Sequence, residues 1–186
     1  MQFYFEWSKM ISVTSNYLRQ KDLAMVRKYS RFVLNKLVRA GVQRKSKITI
    51  KILGEQEIKD AADLLDLKKY KAWCTYDGID EQGRKKFTVV LDHKNLNQRG
   101  KKPITRLKNL LIDLGHELVH VKQYLNNEIF DYKDGGVRYK GVIFDDSYYK
   151  DEESYYDSPW EIEAYGREYG LYKMFCHYLK QERLSF

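Results

Sequence analysis

The stretch DLGHELVHVKQY, Asp113–Tyr124, decides how the rest of the chain is read. His116 and His120 are four residues apart, so on a helix they share one face, one turn above the other. The surrounding apolar residues Ile104, Leu107, Leu111, Leu114, Leu118, Val121 and Leu125 recur at steps of three and four. That is the stripe of an amphipathic helix and predicts one over about Ile104–Asn126. At about 100° per residue the two histidines lie away from that stripe and face something else.

Two imidazoles one turn apart can give two nitrogens to one zinc ion. Glu117 stands between them in the pattern His-Glu-x-x-His, poorly placed as a ligand but well placed as a base. Zinc brings the pKa of a water it binds to about 7, so a carboxylate suffices to take the proton. A catalytic site of this kind needs a third protein ligand.

The candidates lie in YYDSPWEIEAYGREYG, Tyr155–Gly170. Ser158 is a good N-cap, Pro159 suits the first helical position, and Glu161 falls three residues after the cap. Ser-x-x-Glu is a capping box, which gives Glu161 a task on its own helix end. Glu163 has no such task, and Gly166 and Gly170 follow it at helical spacing. Mid-helix glycine costs about 1 kcal/mol, so these two suggest a close approach to the histidine helix. Glu163 is therefore the expected third ligand. The stripe Ile162, Tyr165, Tyr169, Tyr172, Cys176 and Leu179 is the expected buried side of this last helix, about Pro159–Leu179.

Working outward, KITIKILG (Lys47–Gly54) alternates as a half-buried strand, and EQEIKDAADLLDL reads as a short helix. YKAWCTY and KFTVVLD read as two strands joined by a turn-rich segment, a hairpin. Helical spacing runs over about Lys21–Ala40, with Gly41 as a stop. Phe3-Tyr4-Phe5 is a short strand or anchor. GVRYKGVIF is extended, and DDSYYKDEESYYD is an acidic, tyrosine-rich loop. With no repeat and no Pro/Gly/Ser linker, one domain spans 1–186, with an N-terminal helical part over 1–46 and an insertion over 131–157. The order of elements predicts an α+β fold with a mixed sheet.

With HELVH followed by a helix carrying EIEA, the chain resembles the zincin metallopeptidases. It is most similar to their gluzincin group, and in size to minigluzincins and to SprT-like or phage-associated metallopeptidases. The resemblance covers roughly Lys47–Leu179. It implies a zincin-like domain, a small mixed sheet on the active-site helix and a second, glutamate-bearing helix. It also implies zinc on His116, His120 and Glu163, Glu117 as general base, a peptide or protein substrate, and Phe87–Asp92 as the sheet edge that pairs with it. Thermolysin-type relatives carry an acid four residues after the ligand glutamate, where this chain has Arg167. Asp113 is a candidate to orient an imidazole. Tyr155, Tyr156, Tyr165 and Arg167 are candidates to stabilise an oxyanion, and the sequence does not separate them. His93 and His177 read as ordinary surface or core histidines. Cys74 and Cys176 read as buried thiols.

Thirty-four Lys and Arg against 26 Asp and Glu give a net charge of +8. The charge is uneven: residues 1–110 hold +14 and residues 111–186 hold −6. A basic half can meet nucleic acid, but no nucleic-acid motif accompanies it, so a solvated basic face is the favoured reading. No stretch is long and apolar enough for a membrane span, the residues MQFYFEWSKM lack the basic, apolar and small-residue regions expected of a signal peptide, and the two cysteines form no CxxC. A cytoplasmic setting is expected, host cytoplasm or virion if the source is viral. The rival readings are a zincin-like fold without catalysis, serving structure or assembly, and a nucleic-acid-associated protein.

Overall fold

The computed structural model describes residues 10–64, 72–96, 102–133 and 135–184. The expected element at Phe3–Phe5 lies outside them. The alternation of Ser46–Leu53 (β2) does what period two demands, with Ile48, Ile50 and Ile52 all fully buried on one face. Phe87, Val89 and Leu91 of Lys85–Asp92 (β4) join them on the same face. A strand not anticipated from sequence, Ile11–Ser15 (β1), adds Ile11 and Val13. The sheet order is β1-β2-β4-β3, where β3 is Ala72–Ile79. β1, β2 and β4 run parallel, and β3 pairs antiparallel to β4 across the expected hairpin. The fold is α+β with a mixed sheet.

This order corrects one expectation. β4 is interior, hydrogen-bonded on both sides, and among the described residues the edge strands are β1 and β3. The reason is that β1–β2–β4 are linked by crossovers, while the hairpin return places β3 outside its partner.

Gln20–Leu37 (α1) and Lys108–Leu125 (α5) cover the inner face of the sheet. α1 stops at Leu37 with Val38 extended, and Gly41 falls within a separate helical turn, Ala40–Gln43 (α2). The other sheet face carries a small cluster of Trp73 and Val90 under Glu55–Leu64 (α3). The helix expected from Ile104 is broken at Leu107, so Pro103–Arg106 forms its own turn, α4. Arg106 there pairs with the buried Asp22 of α1.

α5 is buried nearly all round, because a third layer covers its far side: Pro159–Leu184 (α7) packs along it. Between them the chain makes a three-stranded antiparallel sheet, Ile129–Asp131 (β5), Val137–Tyr139 (β6) and Val142–Phe144 (β7). Its inner residues Ile129, Val137 and Tyr139 close over Trp160. The extended segment thus folds as a hairpin, turning at Lys140 and Gly141, both with positive φ. The acidic segment holds a 3-10 turn over Asp146–Tyr149 and a short helix, Glu152–Tyr156 (α6), rather than open loop.

The face of α7 also differs from expectation. Glu161, Ala164, Leu171 and Phe175 are buried, whereas Ile162, Tyr165 and Tyr169 are about half exposed. The glycines that follow Glu163 meet nothing within 4 Å of a built Cβ. The close approach between α5 and α7 occurs instead at Gly115. A Cβ there would stand 2.6 Å from the Tyr29 hydroxyl and 3.5 Å from the Glu168 carbonyl oxygen.

Candidate metal centre

His116 and His120 leave α5 on the side that α7 covers. The Nε2 atoms of His116 and His120 are 3.1 Å apart. The carboxylate between them is that of Glu161, with Oε2 3.1 Å from His116 Nε2 and Oε1 3.3 Å from His120 Nε2. These three side chains form the group among the described residues that could hold a metal ion. The donor set fits. Bonds of about 2.0–2.1 Å to a tetrahedral ion place neighbouring ligand atoms about 3.3 Å apart, close to the separations here.

Each imidazole is fixed from behind. His116 Nδ1 lies 3.0 Å from Glu168 Oε2, and His120 Nδ1 lies 3.0 Å from Gln123 Oε1. Gln123 is fully buried and donates its amide to the Trp160 carbonyl at 3.0 Å, which sets which way its oxygen points. With both Nδ1 atoms engaged, both Nε2 atoms face Glu161. Tyr155 donates its hydroxyl to Glu161 Oε1 at 2.7 Å, and the Tyr165 ring stands edge-on to His116 with centroids 4.5 Å apart.

Glu163, the ligand expected from sequence, is elsewhere. Its carboxylate takes hydrogen bonds from Lys122 at 2.7 Å, Tyr139 at 2.6 Å, Gln123 at 3.3 Å and Arg167 at 3.0 Å. It is a structural knot joining α5, β6 and α7. Burial alone would raise its pKa, and these donors outweigh that and hold it well below the carboxylate range. The expected capping box does not form. Ser158 Oγ is buried without a hydrogen-bond partner among the described residues, and the Glu161 carboxylate is spent on the histidines.

The electrostatics follow from packing two imidazoles against the carboxylates of Glu161, Glu168 and Glu117. Burial would lower the pKa of His116, but hydrogen bonds to Glu161 and Glu168, with the charge of Glu117 added, raise it to about 10. Glu161 moves the other way: burial is outweighed by the two histidines, and the pKa falls to about 2. Glu117 is buried and is raised to about 7, chiefly by that burial, with the histidines opposing and Glu161 and Asp113 adding. Its charge reaches β3, where burial first and Glu117 second push up the Cys74 thiol.

The other candidates separate clearly. Asp113 stands one turn before His116, yet the Nδ1 atoms of both imidazoles are taken by Glu168 and Gln123. Arg167 pairs with Glu163, and Tyr156 is exposed beside Tyr155 and Tyr165. His93 stacks on Tyr17, His177 is exposed, and both cysteines are free and half-buried. Sequence reasoning missed Glu168 and Gln123. The signal was present in the spacing Glu161, Ala164, Glu168, Leu171, a helical face with two acids on it. Comparison with family models, with curated proteins and with solved structures finds no match to this chain. Among the described residues no helix is long and apolar enough to cross a membrane.

Proposed function

We propose that this protein is a zinc-dependent metallopeptidase of the zincin type, with His116, His120 and Glu161 as the metal ligands and Glu117 as the general base. The observation that carries the reading is the convergence of both Nε2 atoms on the Glu161 carboxylate, beside a buried glutamate raised to about 7. Two imidazoles and one carboxylate suit zinc, which when bound supplies a Lewis acid that acidifies a water and polarises a carbonyl oxygen. Glu117 takes the proton of the attacking water and passes it to the departing amine nitrogen. A group poised near neutral pH can do both in turn. Glu168 and Gln123 hold the imidazole orientations, and Tyr155 holds Glu161.

The substrate is an extended peptide. Among the described residues β3 has an unpaired edge; it packs against α5 and runs antiparallel to its neighbour, so a strand can add along it next to Glu117. The test is metal content by elemental analysis of wild type, His116→Ala and Glu161→Ala, followed by hydrolysis of an unfolded protein by wild type and Glu117→Gln. We expect about one zinc per wild-type chain, little in the first two variants, and metal without hydrolysis in Glu117→Gln. A wild-type protein that takes up no zinc when it is supplied would end the proposal.

A further inference from the structure

We propose that a groove between α1 and the C-terminal half of α7 binds single-stranded nucleic acid, independently of the metal centre. Two contiguous depressions there share Phe32, Lys36 and Tyr178, and their walls add Lys28, Arg31 and Lys173. The rings form a ladder. Phe32 and Tyr178 lie 5.2 Å apart, tilted by 30°, and Tyr178 stacks at 6.1 Å on the fully buried Phe175. Lysines frame it: Lys28 stands over the Tyr178 ring at 5.5 Å and Lys36 over the Phe32 ring at 5.8 Å.

Part of the positive charge is uncommitted. Lys36 and Lys173 are exposed and have no carboxylate partner among the described residues. Arg31 Nε also has no hydrogen-bond partner there, but that atom is buried and adds no open charge. Glu182 is the carboxylate that reaches the groove, and Lys28 and Tyr178 hold it. The surplus of +14 over residues 1–110 is thus displayed in part along α1, beside aromatic rings. Lysines along a groove neutralise phosphates, and half-buried rings offer faces on which bases stack, a combination tolerant of sequence. An acidic peptide would use the lysines and leave the rings idle. From Ala24 to Lys36 the helix runs about 18 Å, room for a few stacked nucleotides.

The probe is fluorescein-labelled dT20, followed by anisotropy with the full chain between 50 and 200 mM salt. We expect binding that weakens with salt, with a log–log slope of about −0.7 for each phosphate contacted. Lys36→Glu/Lys173→Glu should weaken it about tenfold or more and flatten the slope, and the milder Lys36→Gln/Lys173→Gln should do so by less. Tyr178→Leu, which keeps an apolar side chain, should weaken it about tenfold with the slope unchanged. His116→Ala and the outer-sheet variant Lys47→Gln/Lys51→Gln should bind like wild type. No binding at 50 mM salt, groove variants that bind like wild type, or loss through the outer-sheet lysines would overturn the proposal. So would displacement of dT20 by polyglutamate as effectively as by unlabelled dT20, because bases would then contribute nothing.

Discussion

Glu161 and Glu163 are two positions apart on α7, and the helix turns them to different tasks. Glu161→Ala should abolish zinc uptake, while Glu163→Ala should keep it and lose about 3 kcal/mol of stability, measured by denaturant unfolding. The cost arises because Lys122, 7% exposed, would keep only Glu128 as a carboxylate partner among the described residues. If the metal were lost with Glu163 and kept without Glu161, Glu161 would not be the third ligand. Glu168→Ala should leave the fold intact and weaken zinc binding about 10- to 100-fold in a competition titration with a chromogenic chelator, since it frees the His116 ring. That the two histidines share one face of α5 was legible from spacing alone. The choice between the two glutamates was not, because Ser-x-x-Glu describes a capping box equally well whether or not the carboxylate turns back to its own helix. Which way it turns depends on a partner 45 residues upstream in sequence.

At the scale of elements, the strands were easier to read than the helix faces. Alternation in β2 has one solution once a face is buried. In α7 the tyrosines count as apolar, yet an amphipathic ring can sit half in water, and Tyr165 and Tyr169 do so while Ala164 and Phe175 enter the core. The β3 edge was missed because pairing partners are set by connections, not by the composition of one strand. The packing of α5 on α7 has its own test at Gly115. In an ordinary helix Gly→Ala gains about 1 kcal/mol. Here the new methyl would meet the hydroxyl of Tyr29, which is fully buried and cannot retreat. Gly115→Ala should therefore destabilise the protein by about 1–3 kcal/mol. Tyr29→Phe removes a hydroxyl that has no hydrogen-bond partner among the described residues, so it should be close to neutral alone. In that background most of the Gly115→Ala penalty should disappear. A penalty unchanged by Tyr29→Phe would place the clash on the Glu168 backbone instead.

For the whole molecule, three layers meet at the candidate metal centre, so metal, protons and stability would be linked there. His116 has a pKa of about 10 when folded against an ordinary 6.5, so its pairing with Glu161 and Glu168 stabilises the metal-free fold fully below pH 6.5 and is lost as pH rises through about 10. Glu161, at about 2 against 4.5, contributes fully above pH 4.5 and is lost as pH falls through about 2. The metal-free protein should draw most from this pair between pH 4.5 and 6.5. Zinc requires neutral imidazoles and so competes with the proton that stabilises that state. Melting temperature measured with chelator and with excess zinc should show the consequence. The gain from zinc, which follows the ratio of free zinc to its Kd, should be small at pH 5.5 and larger at pH 8. Glu161→Gln in chelator should lose part of the stability near pH 5.5 and show almost no zinc-dependent rise at either pH. A zinc-induced rise that is equal at the two pH values would mean that the histidines are not the groups giving up protons, and the ion would have to sit elsewhere in the molecule.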